Sequence, residues 1–553
     1  MMQISRILRQ STALQYAAVL IIGLVFGTPL IDAIAHGLFG TPPLYSVAFT
    51  VVLIGILYAT ILFRTKTLGL ALTVALIVTS MFGANIPFAS AAALRQFQGN
   101  LGPQLWLLEV PLILLVGYFA VYKRSIRDTT SRTELLFAGF VGWSLVVALV
   151  GNPAGMDAAL YFTLRMLVGL LAFGVSMRAV RTGVIGYTTA LTVFCATVVA
   201  QAIFAGVQLA AGHSFRLTVL GEAVIPRLDP IVYPNTGFTS DIIAGAFTGH
   251  GYILGILSVL VIPILLVSAV KAHRKWSVVL FSTTLYLILI TRTSGSDSIR
   301  GGILIVLGTA LLGVALAYYG LFGSVQTRIT ALREKVAGIG AVLFGVFAIV
   351  FYPSKRMSVI AQESKTQPTP ETTTTATTTT ATQTTSTTTT GQTVSTTTEA
   401  TTTTTTTAEA TAPATTWGHR WEQYRAGIEA FVENPLFGVG GGNFNYVSGT
   451  VYGPMDIHRM AVHNIYIGLL AETGLPGFLL YMGAILSVFV VGCLALLPGS
   501  KLRLETIGVM SGLLGVLGIA FWTHSPIDRI TAFVPFWILC GLLVGNYYTG
   551  RES

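Results

Sequence analysis

Charge is what this chain of 553 residues has least of: Asp, Glu, Lys and Arg together make up 10% of it, against roughly 25% in a soluble protein. That shortage excludes a large solvated globule. Cysteine is scarce too. Cys195, Cys493 and Cys540 all fall in apolar runs without metal-ligand spacing, so they read as packing residues and say nothing of a redox compartment. No convincing internal repeat is present, which counts against a solute transporter with a mid-membrane pathway. No Asp-x-Asp motif lies near the polar residues singled out below, so no metal or other cofactor is expected there.

What is present is apolar. Hydrophobic residues make up 53% of the chain and the mean hydropathy is +0.74. Runs of about 18 or more apolar residues recur along nearly its whole length, as spanning helices require. The expected fold class is all-α, a polytopic integral membrane protein of about 14 transmembrane helices (range about 12 to 14). The spans are placed near 12–34, 44–63, 67–84, 104–122, 134–151, 158–177, 184–211, 243–265, 276–291, 300–323, 336–352, 474–497, 506–524 and 529–549. The first run is too long and too weakly cleavable for a secretory signal and reads as a retained span.

The net charge of +10 invites a nucleic-acid partner, but its distribution argues against one. Eight short clusters, from Arg6/Arg9 through Lys123-Arg124 and Arg178/Arg181 to Arg551, hold 19 of the 32 Lys and Arg residues. With both termini cytoplasmic, every cluster falls on the cytoplasmic side, which is a topology signal rather than a binding patch. The expected organisation is helices 1–11 over residues 1–352, a large extracytoplasmic loop over 353–473, and helices 12–14 over 474–553, in the plasma membrane. Within that loop, residues 366–416 are nearly all threonine and lack the apolar content to bury a core, so they read as a disordered insertion. Residues 418–433 have helical periodicity with Trp421, Tyr424, Ile428 and Phe431 on one face. Residues 463–472 read as a short interfacial helix, broken by Gly474-Leu475-Pro476-Gly477.

A few charged residues near span ends need a reason, because charge in a bilayer is costly and usually faces a cavity or a partner. Arg300 opens the tenth span in Ser298-Ile299-Arg300-Gly301-Gly302, where two glycines permit close approach; the alternative is an arginine snorkelling to headgroups. Arg227 and Arg216 lie in the outward segment 212–242 and Arg292 in Thr291-Arg292-Thr293. Arg165 sits inside the sixth span and either lines a cavity or pairs internally. Asp32, Glu109 and His250 read as satisfied packing groups.

His463 is the best candidate for chemistry, because an imidazole is the natural proton acceptor near neutral pH. Its company is Asn464 and the upstream turn Gly438-Val439-Gly440-Gly441-Gly442-Asn443. Arginine pairs bidentately with phosphate oxygens and keeps its charge. A histidine base beside two arginines suits attack by a hydroxyl on a diphosphate-activated sugar carbon, with the arginines holding the diphosphate as it leaves.

At these residues the chain resembles the O-antigen ligase and polymerase superfamily of polytopic membrane glycosyltransferases. The stretch Arg420…Asn434-Pro435-Leu436-Phe437-Gly438…Asn443-Phe444…His463-Asn464-Ile465-Tyr466…Glu472-Thr473-Gly474 looks like that family's large outer loop. Ser298-Ile299-Arg300-Gly301 looks like its span-opening motif with an extra Ile. The resemblance implies a GT-C-like fold and inverting transfer from a polyprenyl-diphosphate-linked glycan donor. The acceptor is then a glycan, lipid or protein hydroxyl. His463 is the implied base, and Arg300 and Arg227, with Arg292 as the weaker match, are the implied diphosphate contacts. Asn464, Arg420, Glu472 and Arg165 are the expected supporting residues. A glycan-repeat polymerase of the same superfamily is the nearest alternative.

Overall fold

The computed structural model describes residues 2–39, 43–87, 104–122, 130–151, 153, 155–222, 224–232, 239–293, 297–318, 416–444, 462–496, 504–520 and 529–552. Two units are distinguished, residues 1–353 with 420–553, and residues 354–419. The second lies outside the described residues except at its end, 416–419.

Helix α1 (Met2–Ile21) runs through a π-helical turn, Ile22–Gly27, into α2 (Thr28–Phe39), and α3 (Pro43–Thr65) and α4 (Leu68–Thr79) follow. The antiparallel strands β1 (Asn85–Pro87) and β2 (Gln104–Trp106) pair Asn85 with Trp106 and Pro87 with Gln104. Then come α5 (Glu109–Tyr122), α6 (Arg132–Val150), α7 (Met156–Arg181) and α8 (Tyr187–Ala211), and a second hairpin of β3 (Val224–Val232) and β4 (Thr239–Ala244). Helices α9 (Gly251–Lys271), α10 (Arg274–Thr293), α11 (Asp297–Tyr318), α12 (Thr416–Glu433), α13 (Ile465–Ala495), α14 (Leu504–Ala520) and α15 (Ile530–Glu552) complete the described part.

Among the described residues, eight helices are long and apolar enough to cross a membrane, and four shorter apolar helices accompany them. The protein is an all-α, multi-pass membrane protein. Two of the expected spans need correction. The span placed at 104–122 begins with β2, so its helix starts only at Glu109; the span placed at 243–265 begins in β4 and a turn, so its helix starts at Gly251. In both, an apolar run continues from strand or turn into helix, and hydropathy alone cannot mark the change. The span placed at 336–352 and the threonine-rich segment lie outside the described residues.

The helices are held together by packing rather than by a difference between lipid and core, since both are apolar. Trp537 of α15 is fully buried and stacks on Phe137 of α6 at 4.1 Å, with Tyr481 of α13 edge-on at 5.8 Å. This aromatic knot fixes α13 and α15 against α6. A charge inside the bundle is paired: Arg178 of α7 forks onto Glu134 of α6, with bonds of 2.7 and 3.1 Å. Such a pair neutralises both charges where neither could be left alone.

Two glutamines on α8 hold the turn that precedes α9. Gln208 Oε1 accepts from Ala246 N at 2.9 Å and Gln201 Oε1 from Phe247 N at 3.0 Å. Buried Glu222 is satisfied by Gln208 Nε2 (2.8 Å) and by the backbone N–H groups of Phe215 (2.7 Å) and Leu217 (2.6 Å). The irregular segments at this end are therefore built on polar side chains that satisfy otherwise orphaned backbone groups.

Candidate functional site

The glycine-rich turn is clipped to the start of α13 by its main chain. Val439 N donates to Ala471 O at 2.8 Å, Gly440 N to Glu472 O at 3.0 Å, and Leu475 N to Pro435 O at 2.9 Å. Two glycines make the clip possible. Gly474 takes φ 66° and ψ −175°, breaking α13 into an initial short helix and the long span. Gly440, at φ 94°, lies so near the loop after α6 that a Cβ there would sit 2.5 Å from Pro153 Cβ; a side chain at either position is excluded by conformation and by space. Asn443, fully buried, anchors the turn by accepting from Gly155 N at 2.7 Å, and Trp143 Nε1 donates to Thr473 O at 2.9 Å.

This clip presents His463 immediately before α13. Asn464 is the helix N-cap: its Oδ1 accepts from Tyr466 N (2.9 Å) and Ile467 N (3.1 Å). Helix α12 supplies the ring's partner. Gln423, 3% exposed, places Oε1 2.5 Å from His463 Nδ1, and Tyr424 Oη donates to the His463 carbonyl at 3.0 Å. An amide oxygen only accepts, so Nδ1 carries the proton and Nε2 is left as the acceptor nitrogen of the ring. Burial raises the Tyr424 phenol above its ordinary range, with Arg420 opposing, so it stays a protonated donor.

Gln423 was not among the residues expected at the site. The expected apolar face of α12, with Trp421, Tyr424, Ile428 and Phe431, is not the face that packs. Trp421 and Ile428 are exposed, and the buried positions are Gln423, Ala426, Gly427 and Ala430. Small residues win because α12 approaches α13 closely; a Cβ on Gly427 would lie 2.6 Å from Ile467 Cγ2.

The first turn of α11 arrives at the same end of the bundle. Gly302 packs on Ile519 near the end of α14, where a Cβ would lie 2.5 Å from its side chain, and Arg300 stands in that turn, half-buried. From the other side, Tyr466 Oη of α13 donates to Leu517 O of α14 at 3.0 Å. His463 and Arg300 thus stand at the starts of two helices that both pack on the closing turns of α14. A further arginine comes with α15: Thr531 Oγ1 donates to Thr248 O at 3.0 Å, and Arg529, just before the helix, acts electrostatically on His250. Arg529 was missed because it follows a short polar stretch, His524-Ser525-Pro526-Ile527-Asp528, that reads as an ordinary turn. His250 caps α9 by accepting from Tyr252 N on Nδ1 at 3.0 Å, and burial together with the Arg529 charge pulls it down to about 4.

The remaining expected residues are spread more widely. Arg227 lies on β3 just past Pro226, where the β3–β4 register shifts, and Arg292 lies in the last turn of α10; for both, the backbone alone is described. Arg165 is 6% exposed in α7 and within electrostatic reach of Glu109 at the start of α5. Arg420 is half-buried in α12, and Glu472 is half-buried at the clip. Among the described residues, no three His, Cys, Asp or Glu side chains gather as a metal-binding group would.

These features define a polytopic helical membrane protein with a polar site of histidine and arginine at one end of its bundle. Residues 243–482 match the family model described as O-Antigen ligase, so that this segment is similar to the O-antigen ligases. The match runs from β4 to α13 and so takes in the α11 start, α12, the glycine-rich turn and His463. No curated protein matches the chain. The family match supports a membrane glycosyltransferase-like function of the ligase or polymerase kind.

Proposed function

We infer that the protein transfers a glycan from a polyprenyl-diphosphate carrier to an acceptor hydroxyl at the extracytoplasmic face of the plasma membrane, in the manner of an O-antigen ligase. The observation that carries this reading is the Gln423–His463 contact, which supports a neutral ring with the proton on Nδ1 and Nε2 as its acceptor nitrogen. In the proposed step the acceptor oxygen attacks the anomeric carbon from the face opposite the diphosphate. The bond from that carbon to the diphosphate oxygen breaks, and the electron pair leaves with the polyprenyl diphosphate. The hydroxyl proton passes to His463 Nε2, and the configuration inverts. Arg300, with Arg227 or Arg292, neutralises the departing diphosphate by charge-assisted hydrogen bonds, so no metal ion is required. Residues 353–473 act as the extracytoplasmic loop over the bundle, with both chain termini on the cytoplasmic side.

The test is transfer by the full chain in vesicles, with a polyprenyl-diphosphate-linked glycan as donor and a hydroxyl-bearing glycan or lipid as acceptor. The wild type forms product with inverted anomeric configuration and with chelator present, and His463→Ala does not, at equal membrane content. Retained configuration, or wild-type rates in His463→Ala, overturns the mechanism.

A further inference from the structure

Arg529 lies beyond the family-matched segment and is half-buried at the mouth of α15. The four residues after it, Ile530 to Phe533, are each no more than 2% exposed, so the guanidinium stands where the helix enters the bundle. A cation there opposes the helix dipole, and one held partly out of water is costly without a counter-charge. Among the described residues, no carboxylate forms an ion pair with Arg529. The titratable group on which it acts, His250, is neutral at ordinary pH and offers no compensation. Glu109 is engaged elsewhere. Helices α7 and α15 run parallel, with Gly169 closed on the Phe533 ring and Gly541 on Ser176, where a Cβ would lie 3.1 Å from Ser176 Cβ. One turn nearer each N-terminus, this register sets Arg165 level with Arg529, and Glu109 is within electrostatic reach of Arg165. Two arginines therefore share this level with one carboxylate, and Arg529 is the one left to meet an anion.

The packing of α14 indicates which substrate carries that anion. Gly302 of α11 packs on Ile519, while Gly515 and Gly518 close on Val306 and Ile305 of α11, so Arg300 stands against this face. Val516, Leu517 and Ala520 instead line a small void with Ile465 of α13 and with Phe533 and Phe536 of α15. At about 3.6 residues per turn, these two sets lie on opposite faces of α14. Ile465 is two residues from His463 and Phe533 one turn from Arg529, so the base and this arginine share a flank that Arg300 does not. In the step above, the acceptor hydroxyl gives its proton to His463 while the diphosphate departs from the opposite face of the sugar toward Arg300. The acceptor thus approaches along the flank of His463. We propose that Arg529 binds an anionic group, a phosphate or a carboxylate, which the acceptor carries near its attacking hydroxyl. A guanidinium takes either oxyanion bidentately. This rests on the function proposed above.

The test uses the full chain in vesicles with one polyprenyl-diphosphate-linked donor and three matched glycolipid acceptors. One bears a phosphate, one a carboxylate at the same position, and the third is their neutral parent. In the wild type the KM for at least one anionic acceptor is expected to lie about tenfold below that for the neutral parent, as a charged hydrogen-bonded contact provides. Arg529→Gln is expected to abolish this ratio and Arg529→Lys to keep part of it. Comparing acceptors within each variant cancels any loss of folded protein. Absence of the preference in the wild type, or its survival in Arg529→Gln, overturns the proposal. A rise in donor KM common to all three acceptors assigns Arg529 to the diphosphate and overturns it too. A second arm needs no turnover: without donor, an anionic glycolipid is expected to raise the thermal midpoint of the wild type more than the neutral parent does. That excess should vanish in Arg529→Gln, and equal shifts in the wild type overturn the proposal. If the wild type transfers glycan to no acceptor, the functional reading fails, and the thermal arm still decides Arg529.

Discussion

At the start of α9 and at the start of α13 a histidine stands beside the first helical turn, yet the two rings are wired oppositely. His250 is itself the cap, and its Nδ1 accepts the Tyr252 N–H. In His463 the capping falls to the next residue, Asn464, and Nδ1 instead donates to Gln423 Oε1. A ring whose Nδ1 accepts must present N–H from Nε2 when neutral; a ring whose Nδ1 donates presents an acceptor there. Only the second arrangement leaves a proton acceptor. Burial and Arg529 reinforce the first by holding His250 neutral down to about 4. Residue type alone therefore does not distinguish the two rings, and the partner of Nδ1 does.

The sharpest way to break this comparison is to remove each ring in turn. His463→Ala is expected to lower the transfer rate about 10² to 10⁴-fold, the usual worth of a general base. His250→Asn, which keeps a capping side chain, is expected to change the rate far less, by rate measurement at equal protein content; equal losses would erase the distinction. Next in size is Arg300→Lys, expected to reduce kcat/KM roughly ten- to a hundredfold, since a point charge does not reproduce a bidentate guanidinium. A full rate in this variant would remove Arg300 from the anion site.

A subtler change converts the partner rather than the ring. Gln423→Glu puts a carboxylate against Nδ1 and stabilises the protonated imidazole, so the acid limb of the pH–rate profile should move to higher pH by about one unit. A limb that stays in place would mean that Gln423 only packs. The smallest effect concerns stability. Because His250 lies below its ordinary value of 6.5, the unfolded chain binds the extra proton between that pH and about 4. Its contribution is intact above 6.5 and is lost as the pH falls through that window. Arg529→Leu should shift the acid-side loss of thermal stability toward lower pH, as removal of a like charge lets the folded ring accept a proton more readily. An unchanged acid limb of the melting profile would exclude the His250–Arg529 coupling.

Part of the local geometry of the candidate site was legible in the sequence. The order His463-Asn464, the glycine-rich turn and Gly474 announce a kinked helix start beside a tight loop, because glycine and a capping asparagine have few other uses there. Arg300 was legible as a charge that apolar surroundings make expensive. Gln423 was not, for it lies 40 residues before its partner, on a helix whose exposed apolar face imitates a core-facing one. Bundle helices such as α7 and α8 were plain from their length, whereas β2 and the end of β4 were hidden inside runs read as spans.

The clip between the glycine-rich turn and α13 has one more consequence. Its bonds run from main chain to main chain, so their register depends on the glycines and hardly at all on the side chains of Leu436 or Val439. The chain is thereby pinned on both flanks of residues 445–461, and α12 is pinned to α13 from upstream through Gln423 and Tyr424. Insertions before α12 can then lengthen or shorten without moving the imidazole, much as a rope may be paid out behind a cleat. On the proposed mechanism, a change in the length of the threonine-rich tract would leave the register of His463 unaltered.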